Sequence, residues 1–342
     1  MKAMRLHKIG DFKYEDVELR DIKDDEILMK VEACGICGSD IPRVFELGAH
    51  TFPITIGHEF SGVIVDTARQ EDKDIIGKKA SVFPLIPCRQ CESCETGHYA
   101  QCTNYNYLGS RCDGGFAQYC IIPSKWHLIF SENKDVTSEA LAMVEPATVA
   151  QHAVRRAEVT AGDNVLIFGA GPIGMLCGIM LKHAGASKIF ISDVVEKRLE
   201  IAEELGFIPV NPEKENLEKV VKDATNGEGC DAFFECSGAA VPAMQMTDIT
   251  RVRGKICIVS VHKKPHEVNL REVNFKEQTV VGTRVYTKEE FGRAAELTKE
   301  LETELEKIVT HVVPLKESDK VFDMIADPEC GTIKIVVDCE NV

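Results

Sequence analysis

Cys88, Cys91, Cys94 and Cys102 fall in one short segment with the spacing C-x2-C-x2-C-x7-C. Four thiolates this close can enclose one tetrahedral Zn²⁺ with no coordination position left open, so such a site fixes a loop and does no chemistry itself. A second set of donors differs in kind. Cys37-Gly38-Ser39-Asp40, Gly57-His58-Glu59 and Glu145-Pro146 succeed one another along the chain. A thiolate, an imidazole and a carboxylate form a mixed zinc set that keeps one position for water or substrate. An open Zn²⁺ polarises a carbinol oxygen and lowers its pKa, as alcohol oxidation requires.

The third feature is Gly169-Ala170-Gly171-Pro172-Ile173-Gly174, a G-x-G-x-x-G run. It follows the apolar stretch VLIF and opens the apolar run MLCGIMLKHAG, and a second stretch, KIFIS, ends at Asp193. That context is the one a dinucleotide fingerprint needs. Gly169 permits the tight turn, Gly171 lets the backbone approach a pyrophosphate, and Gly174 allows close packing, with the helix N-terminus favouring the phosphates. Asp193 should accept hydrogen bonds from ribose hydroxyls and repel a 2′-phosphate, which points to NAD rather than NADP. Lys197 and Arg198 could flank the adenine or ribose, or simply be solvated helix cations.

These residues need elements to carry them. In the first ~145 residues, Ile27, Met29, Val31 and Ala33 alternate with Leu28, Lys30 and Glu32, and the runs GVIVD, ASVFP and FAQYCIIP read as further short strands between Gly and Pro breakers. A helix is expected to start near Glu145-Pro146. From Asn164 onward NVLIFGAG, KIFISD, IPV, CDAFFECSG, KICIVS and TVVGTR alternate with helical segments, including Val195, Leu199, Ala202 and Leu205 ending at Gly206. Such alternation implies a parallel sheet covered on both faces.

With 342 residues, 44% of them hydrophobic, about two globular domains are expected. The net charge of -15 argues against nucleic acid or an anionic membrane as partner. Without a long apolar run or a signal-like N-terminus, the chain reads as cytoplasmic. Of the 14 cysteines, those outside the two donor sets are scattered and read as free thiols.

Taken together, the two metal motifs, the Gly-rich turn and their order resemble the zinc-dependent medium-chain dehydrogenases of the polyol branch. The resemblance implies a β-rich, GroES-like catalytic domain over residues 1–150, a doubly wound Rossmann domain over 151–286 and a return to the catalytic domain over 287–342. It implies two zinc ions per subunit, one catalytic and one structural, and NAD as hydride acceptor. Cys37 and His58 are then ligands. Glu59 is a ligand or a carboxylate that exchanges with one, and Glu145 binds directly or through water. Asp40 orients the imidazole from behind, Ser39 touches the substrate oxygen as the first member of a proton relay, and Cys34 belongs to the core. Many relatives carry a histidine two residues after the Asp. Here Pro42 cannot relay a proton, so the outlet is solvent, a ribose hydroxyl or another residue, with His50 and His152 as candidates.

The stretch CGSDIPRVFELGAHTFPITIGHEFSG and the Gly-Ser-Arg-x-Asp-Gly-Gly-Phe signature narrow the resemblance to the galactitol-1-phosphate 5-dehydrogenase type. That implies oxidation of a sugar-alcohol phosphate to a ketose phosphate, with Arg43 and Arg111 as phosphate-binding candidates, since bidentate arginine suits a phosphate. The segment GTRVYTKEEF looks instead like broader polyol and butanediol dehydrogenases, with Tyr286 lining the substrate pocket or packing at a junction. Free polyols and vicinal diols therefore stay open as substrates. The resemblance also implies a homodimer or homotetramer, with the run from KICIVS to TVVGTR as the likeliest pairing edge.

Overall fold

Alternation in the run ILMKVEACG becomes the strand Ile27–Gly35, in which Ile27, Met29, Val31 and Ala33 are buried and Leu28, Lys30 and Glu32 between them are half-buried. The computed structural model describes residues 1–133 and 135–341, and the chain falls into two compact units. The first comprises Met1–Glu145, Tyr286–Asp327 and Lys334–Val342, and the second Pro146–Val285 and Pro328–Ile333.

In the first unit, Ile27–Gly35 sits at the centre of a seven-stranded sheet. One flank runs through Glu59–Thr67 and Lys79–Val82 to Leu128–Phe130; the other runs through Lys334–Asp338 to Val309–Pro314, and Tyr119–Ile122 also pairs with Ile27–Gly35. Ile27–Gly35 and Glu59–Thr67 are antiparallel, with Gly35 opposite Glu59. A three-stranded sheet of Asp11–Asp16, Lys2–Lys8 and Ile54–Thr55 and a two-stranded one of Leu85–Ile86 and Asn106–Tyr107 add to the β structure, and one core includes Met29, Val31, Phe60, Phe116 and Ile335. Phe60 is fully buried, and truncating such a ring to alanine costs about 3–5 kcal/mol.

The second unit is a six-stranded, all-parallel sheet. Its spatial order is Ile208–Val210, Lys188–Ser192, Asn164–Phe168, Cys230–Glu235, Thr250–Ile258, Thr279–Gly282. This is the doubly wound order, which reverses direction at the first strand, Asn164–Phe168. The expected strands all form, but KICIVS is only the second half of a longer strand that begins at Thr250. The strand interiors are buried on both faces, consistent with their uninterrupted apolar runs. Among the described residues, no helix is long and apolar enough to cross a membrane.

Candidate active site

Pairing of Gly35 with Glu59 brings the ends of two central strands together. Cys37 lies two residues beyond one strand, and His58 immediately precedes the other. As a result, one donor atom each from Cys37, His58 and Glu59 lie within 4.8 Å of one another. His58 and Glu59 are buried. The imidazole Nδ1 is buried without a hydrogen-bond partner and lies 3.7 Å from Asp40 Oδ1. Burial by itself would depress His58, but Cys37, Asp40 and Glu145 outweigh it and raise its pKa to about 10. A buried imidazole surrounded by anions that strongly favours a positive charge fits a cation-binding centre. The mixed thiolate, imidazole and carboxylate set is one that zinc accepts.

Asp40 is fully buried. Its Oδ2 accepts from the Cys37 N–H at 3.1 Å and its Oδ1 from Arg43 Nη1 at 2.5 Å. Arg43 Nη2 donates onward to Ser110 Oγ at 3.1 Å. Both terminal nitrogens of Arg43, offered by the sequence as a phosphate contact, thus have protein partners, and the guanidinium braces the aspartate behind His58. Arg111 is differently placed. Its guanidinium stacks on Tyr105 at 4.2 Å from the ring centroid, with one N–H to the Tyr105 carbonyl at 3.4 Å. It forms no ion pair among the described residues. Exposed His50 is depressed by partial burial and by the nearby charges of Arg111 and Arg43. Ser39 is exposed, with its hydroxyl 3.3 Å from Cys37 Sγ. Cys34 is buried in the apolar core, where burial pushes its thiol well up.

Glu145 enters from the helix Val144–Arg156. Its Oε1 accepts from Tyr286 Oη at 2.7 Å and Tyr107 Oη at 3.3 Å. Burial, then the charge of Glu59, raise this carboxyl to about 7, against the opposing pull of His58 and the Tyr286 hydrogen bond. Tyr286 is fully buried and stacked on Phe291 at 5.7 Å, so its hydroxyl serves the carboxylate. Two further residues had no role in the sequence reading. Tyr107 also packs edge-on against His58 at 5.8 Å; nothing local singles it out. Lys334 is 1% exposed and bonds Glu59. Burial would depress its ammonium, but Glu59, Cys37 and Glu145 hold its pKa above the usual lysine value. Here a signal existed, because a lysine interrupts the apolar run TIKIVV.

The four-cysteine lobe forms a second donor group, with all four Sγ atoms within 4.8 Å of one another. Cys91 and Cys102 are 3.8 Å apart and Cys88 and Cys94 4.0 Å. A tetrahedron with metal–sulfur bonds of about 2.3 Å has edges of about 3.8 Å, so the sulfurs are spaced to close around zinc. Backbone N–H groups of Thr103 and Cys94 lower the Cys91 thiol to about 6, which favours the thiolate.

In the second unit, Gly169 has φ +108° and ends the turn's approach, while the helix Pro172–His183 starts directly after Gly171. A Cβ on Gly171 would meet nothing within 4 Å, so space lies over the turn where a pyrophosphate would be held; a Cβ on Gly174 would lie 1.8 Å from Gly169 O. Pro172 occupies the first helical turn, with Ile173 beside it. Asp193 Oδ2 accepts from Ala170 N at 2.8 Å and Oδ1 from Val195 N at 3.0 Å. Its carboxylate is therefore fastened to the turn itself. Arg198 lies 3.7 Å from Asp193 and donates to the Thr332 carbonyl at 3.0 Å. Lys197 bonds the Glu329 carbonyl. Buried Glu235, at the carboxyl end of the adjacent strand, accepts from Ser237 N–H and Oγ–H, Gly238 N–H, Ser260 and His262. It holds the loop against which Gly169 packs, since a Cβ there would stand 3.2 Å from Ser237.

Comparison with known proteins places the whole chain in one family. Residues 23–132 match the alcohol dehydrogenase GroES-like domain, and residues 172–300 match the zinc-binding dehydrogenase family. The chain is 31% identical to sorbitol dehydrogenase of Bombyx mori over 99% of each chain. It is 32% identical to galactitol 1-phosphate 5-dehydrogenase of Escherichia coli K12, over 91% of this chain and 92% of that one. The crystal structure of 2R,3R-butanediol dehydrogenase from Bacillus subtilis superposes with a TM-score of 0.90 at 31% identity, covering 98% of this chain and 99% of that one.

Proposed function

Starting from a chain that belongs to the zinc-dependent medium-chain alcohol and polyol dehydrogenases, we propose that it oxidises a secondary alcohol of a sugar-alcohol phosphate to the ketose phosphate. NAD⁺ is the hydride acceptor, and galactitol 1-phosphate to tagatose 6-phosphate is the first pair to test. The observation that carries the phosphate reading is Arg111, a guanidinium with no ion pair among the described residues, stacked on Tyr105 and close to His50. Cys37 and His58, with Glu59 or Glu145, would hold the catalytic zinc ion, which supplies Lewis-acid polarisation of the carbinol oxygen. Cys88, Cys91, Cys94 and Cys102 would hold the structural one.

The chain's own residues do the rest. Ser39, exposed beside the Cys37 thiolate, takes the hydroxyl proton and passes it toward solvent. Asp40, braced by Arg43, places a negative charge behind His58 and accepts from the Cys37 N–H. The two phenols on Glu145 keep that carboxylate in one orientation. The substrate loses two electrons and a proton to the nicotinamide as hydride, and its hydroxyl proton leaves for solvent by way of Ser39, which gives up its own hydroxyl hydrogen as it accepts the substrate's. Asp193 favours NAD over NADP because a 2′-phosphate beside its carboxylate is repelled.

Similarity at about the same identity to sorbitol dehydrogenase keeps a second reading in view, oxidation of free polyols or vicinal diols. NADH formation from galactitol 1-phosphate and galactitol, side by side with metal-replete protein, separates the two. Preference for the ester, with Arg111→Ala raising KM for the ester alone, supports the phosphate reading. Turnover of galactitol alone overturns it. Asp193→Ala should weaken NAD⁺ binding far more than NADP⁺ binding. A homodimer paired through the edge strand Thr279–Gly282 is part of this reading, because Val280 on that edge and nearby Phe275 leave apolar surface exposed.

A further inference from the structure

A lysine that is 1% exposed needs a reason, because burying an ammonium is unfavourable unless it is fully paired. Lys334 Nζ donates to Glu59 Oε2 at 2.5 Å and to the Ile36 carbonyl at 2.9 Å. Glu59 directly follows His58 and Ile36 directly precedes Cys37, so one ammonium ties together the two segments that bear the candidate ligands. The carboxylate reaches it by lying over Gly35, where a Cβ would come within 2.2 Å of Glu59 Oε2. The charges around the centre make the same point. With His58 neutral, as a zinc ligand must be, and the acids ionised, Cys37, Asp40, Glu59 and Glu145 contribute −4, and Arg43 and Lys334 contribute +2, a sum of −2 that a single divalent cation neutralises. Without Lys334 the sum is −3.

We propose that Lys334 is a positioning residue that competes with the metal ion for the Glu59 carboxylate, and so weakens Glu59 as a ligand. The inference rests on the reading that Cys37, His58 and Glu59 hold zinc. A carboxylate that shares one oxygen with a buried ammonium gives less charge to a metal than one without such a partner. Glu59 would then be a weakly held ligand that a substrate oxygen can displace. A lysine serving only as a tether would stabilise the strands equally with and without metal.

The test is zinc retention. Metal-replete protein is assayed for zinc content and for the rate at which the more labile zinc passes to a chromogenic chelator. A wild-type protein that holds zinc in the four-cysteine lobe alone would overturn the metal reading itself. Given two zinc ions, Lys334→Met should slow loss of the labile ion by about tenfold, the size of effect that groups behind ligands exert, and Lys334→Arg should leave it near wild type. In a Glu59→Gln background, Lys334→Met should change the rate by less than about twofold. Equal slowing in both backgrounds, or none in either, overturns the proposal. Zinc should also raise the melting temperature more in Lys334→Met than in wild type; an equal rise counts against competition. Should Lys334→Met not fold, a crystal structure of zinc-loaded wild type decides: Lys334 Nζ on Glu59 supports the proposal, and Lys334 turned away from Glu59 refutes it.

Discussion

Replacing Gly174 with alanine sets two physical effects against each other. On helix propensity alone, alanine in Pro172–His183 should stabilise by about 1 kcal/mol. The added Cβ, however, would lie 1.8 Å from the Gly169 carbonyl oxygen and 3.3 Å from Ile167 Cγ2, whereas real Cβ contacts essentially never fall below 3.0 Å. The missing 1.2 Å (3.0 − 1.8) must come from backbone, because the obstacle is a carbonyl in the turn and not the tip of a flexible side chain. Overpacking of this kind costs about 1–3 kcal/mol, so the clash offsets the propensity gain and leaves a loss of up to about 2 kcal/mol. The functional effect should be larger than the effect on stability. Moving the turn by an ångström would misdirect the N–H groups proposed to hold the pyrophosphate, and one lost hydrogen bond to a charged group is worth about 1.5–3 kcal/mol, or about 10- to 100-fold in Kd. Gly178→Ala is the control. It lies on the same helix, but its Cβ would meet the Phe207 ring at 2.7 Å, away from the turn. It should lower the melting temperature and leave NADH affinity within about threefold of wild type. NADH fluorescence titration and thermal melting read both quantities. A Gly174→Ala protein that binds NADH as tightly as wild type would refute the assignment of this turn to the pyrophosphate.

Three further outcomes are expected. Cys94→Ser opens the four-cysteine lobe, so zinc measured by mass spectrometry should fall from about two to about one per chain, with a lower melting temperature; an unchanged zinc content would refute a structural site there. Tyr286→Phe keeps the buried ring and removes the 2.7 Å hydrogen bond to Glu145, so kcat/KM should fall about 10- to 100-fold while melting shifts little; equal turnover would show that Glu145 needs no such support. His127 is buried, with Nδ1 3.0 Å from the Phe83 carbonyl, and burial lowers its pKa from 6.5 to about 4. Its proton therefore binds the unfolded chain more readily, so stability is full above pH 6.5 and declines as pH falls toward 4, by about 3 kcal/mol in total. His127→Gln should flatten that part of the stability–pH profile, and an unaltered slope between pH 6.5 and 4 would show that another group is responsible.

How far the site could be read in advance depends on the range of each interaction. The strand Ile27–Gly35, the parallel strands from Asn164 and the helix beginning near Glu145 were legible because periodicity and breakers act within a few residues. The same is true of the Gly169–Gly174 turn and the four-cysteine lobe, whose ligands lie within one loop. Their spacing dictates their geometry once the local backbone forms.

The partners of charged and polar groups were decided elsewhere. Arg43 read as a contact for phosphate, but burial beside Asp40 and Ser110 gave both its terminal nitrogens protein partners. Tyr286 meets Glu145 across 141 residues of sequence, and Lys334 meets Glu59 across 275. A sequence carries the donors for such pairs but not their choice of partner. That choice follows from desolvation, since a charge forced into the interior must take whichever opposite charge the assembled strands bring within reach. The amino-acid order by itself thus determined the family chemistry and the elements that bear it. The tertiary structure decided which side chain restrains which ligand, because only the folded chain removes the water that would otherwise serve every one of them.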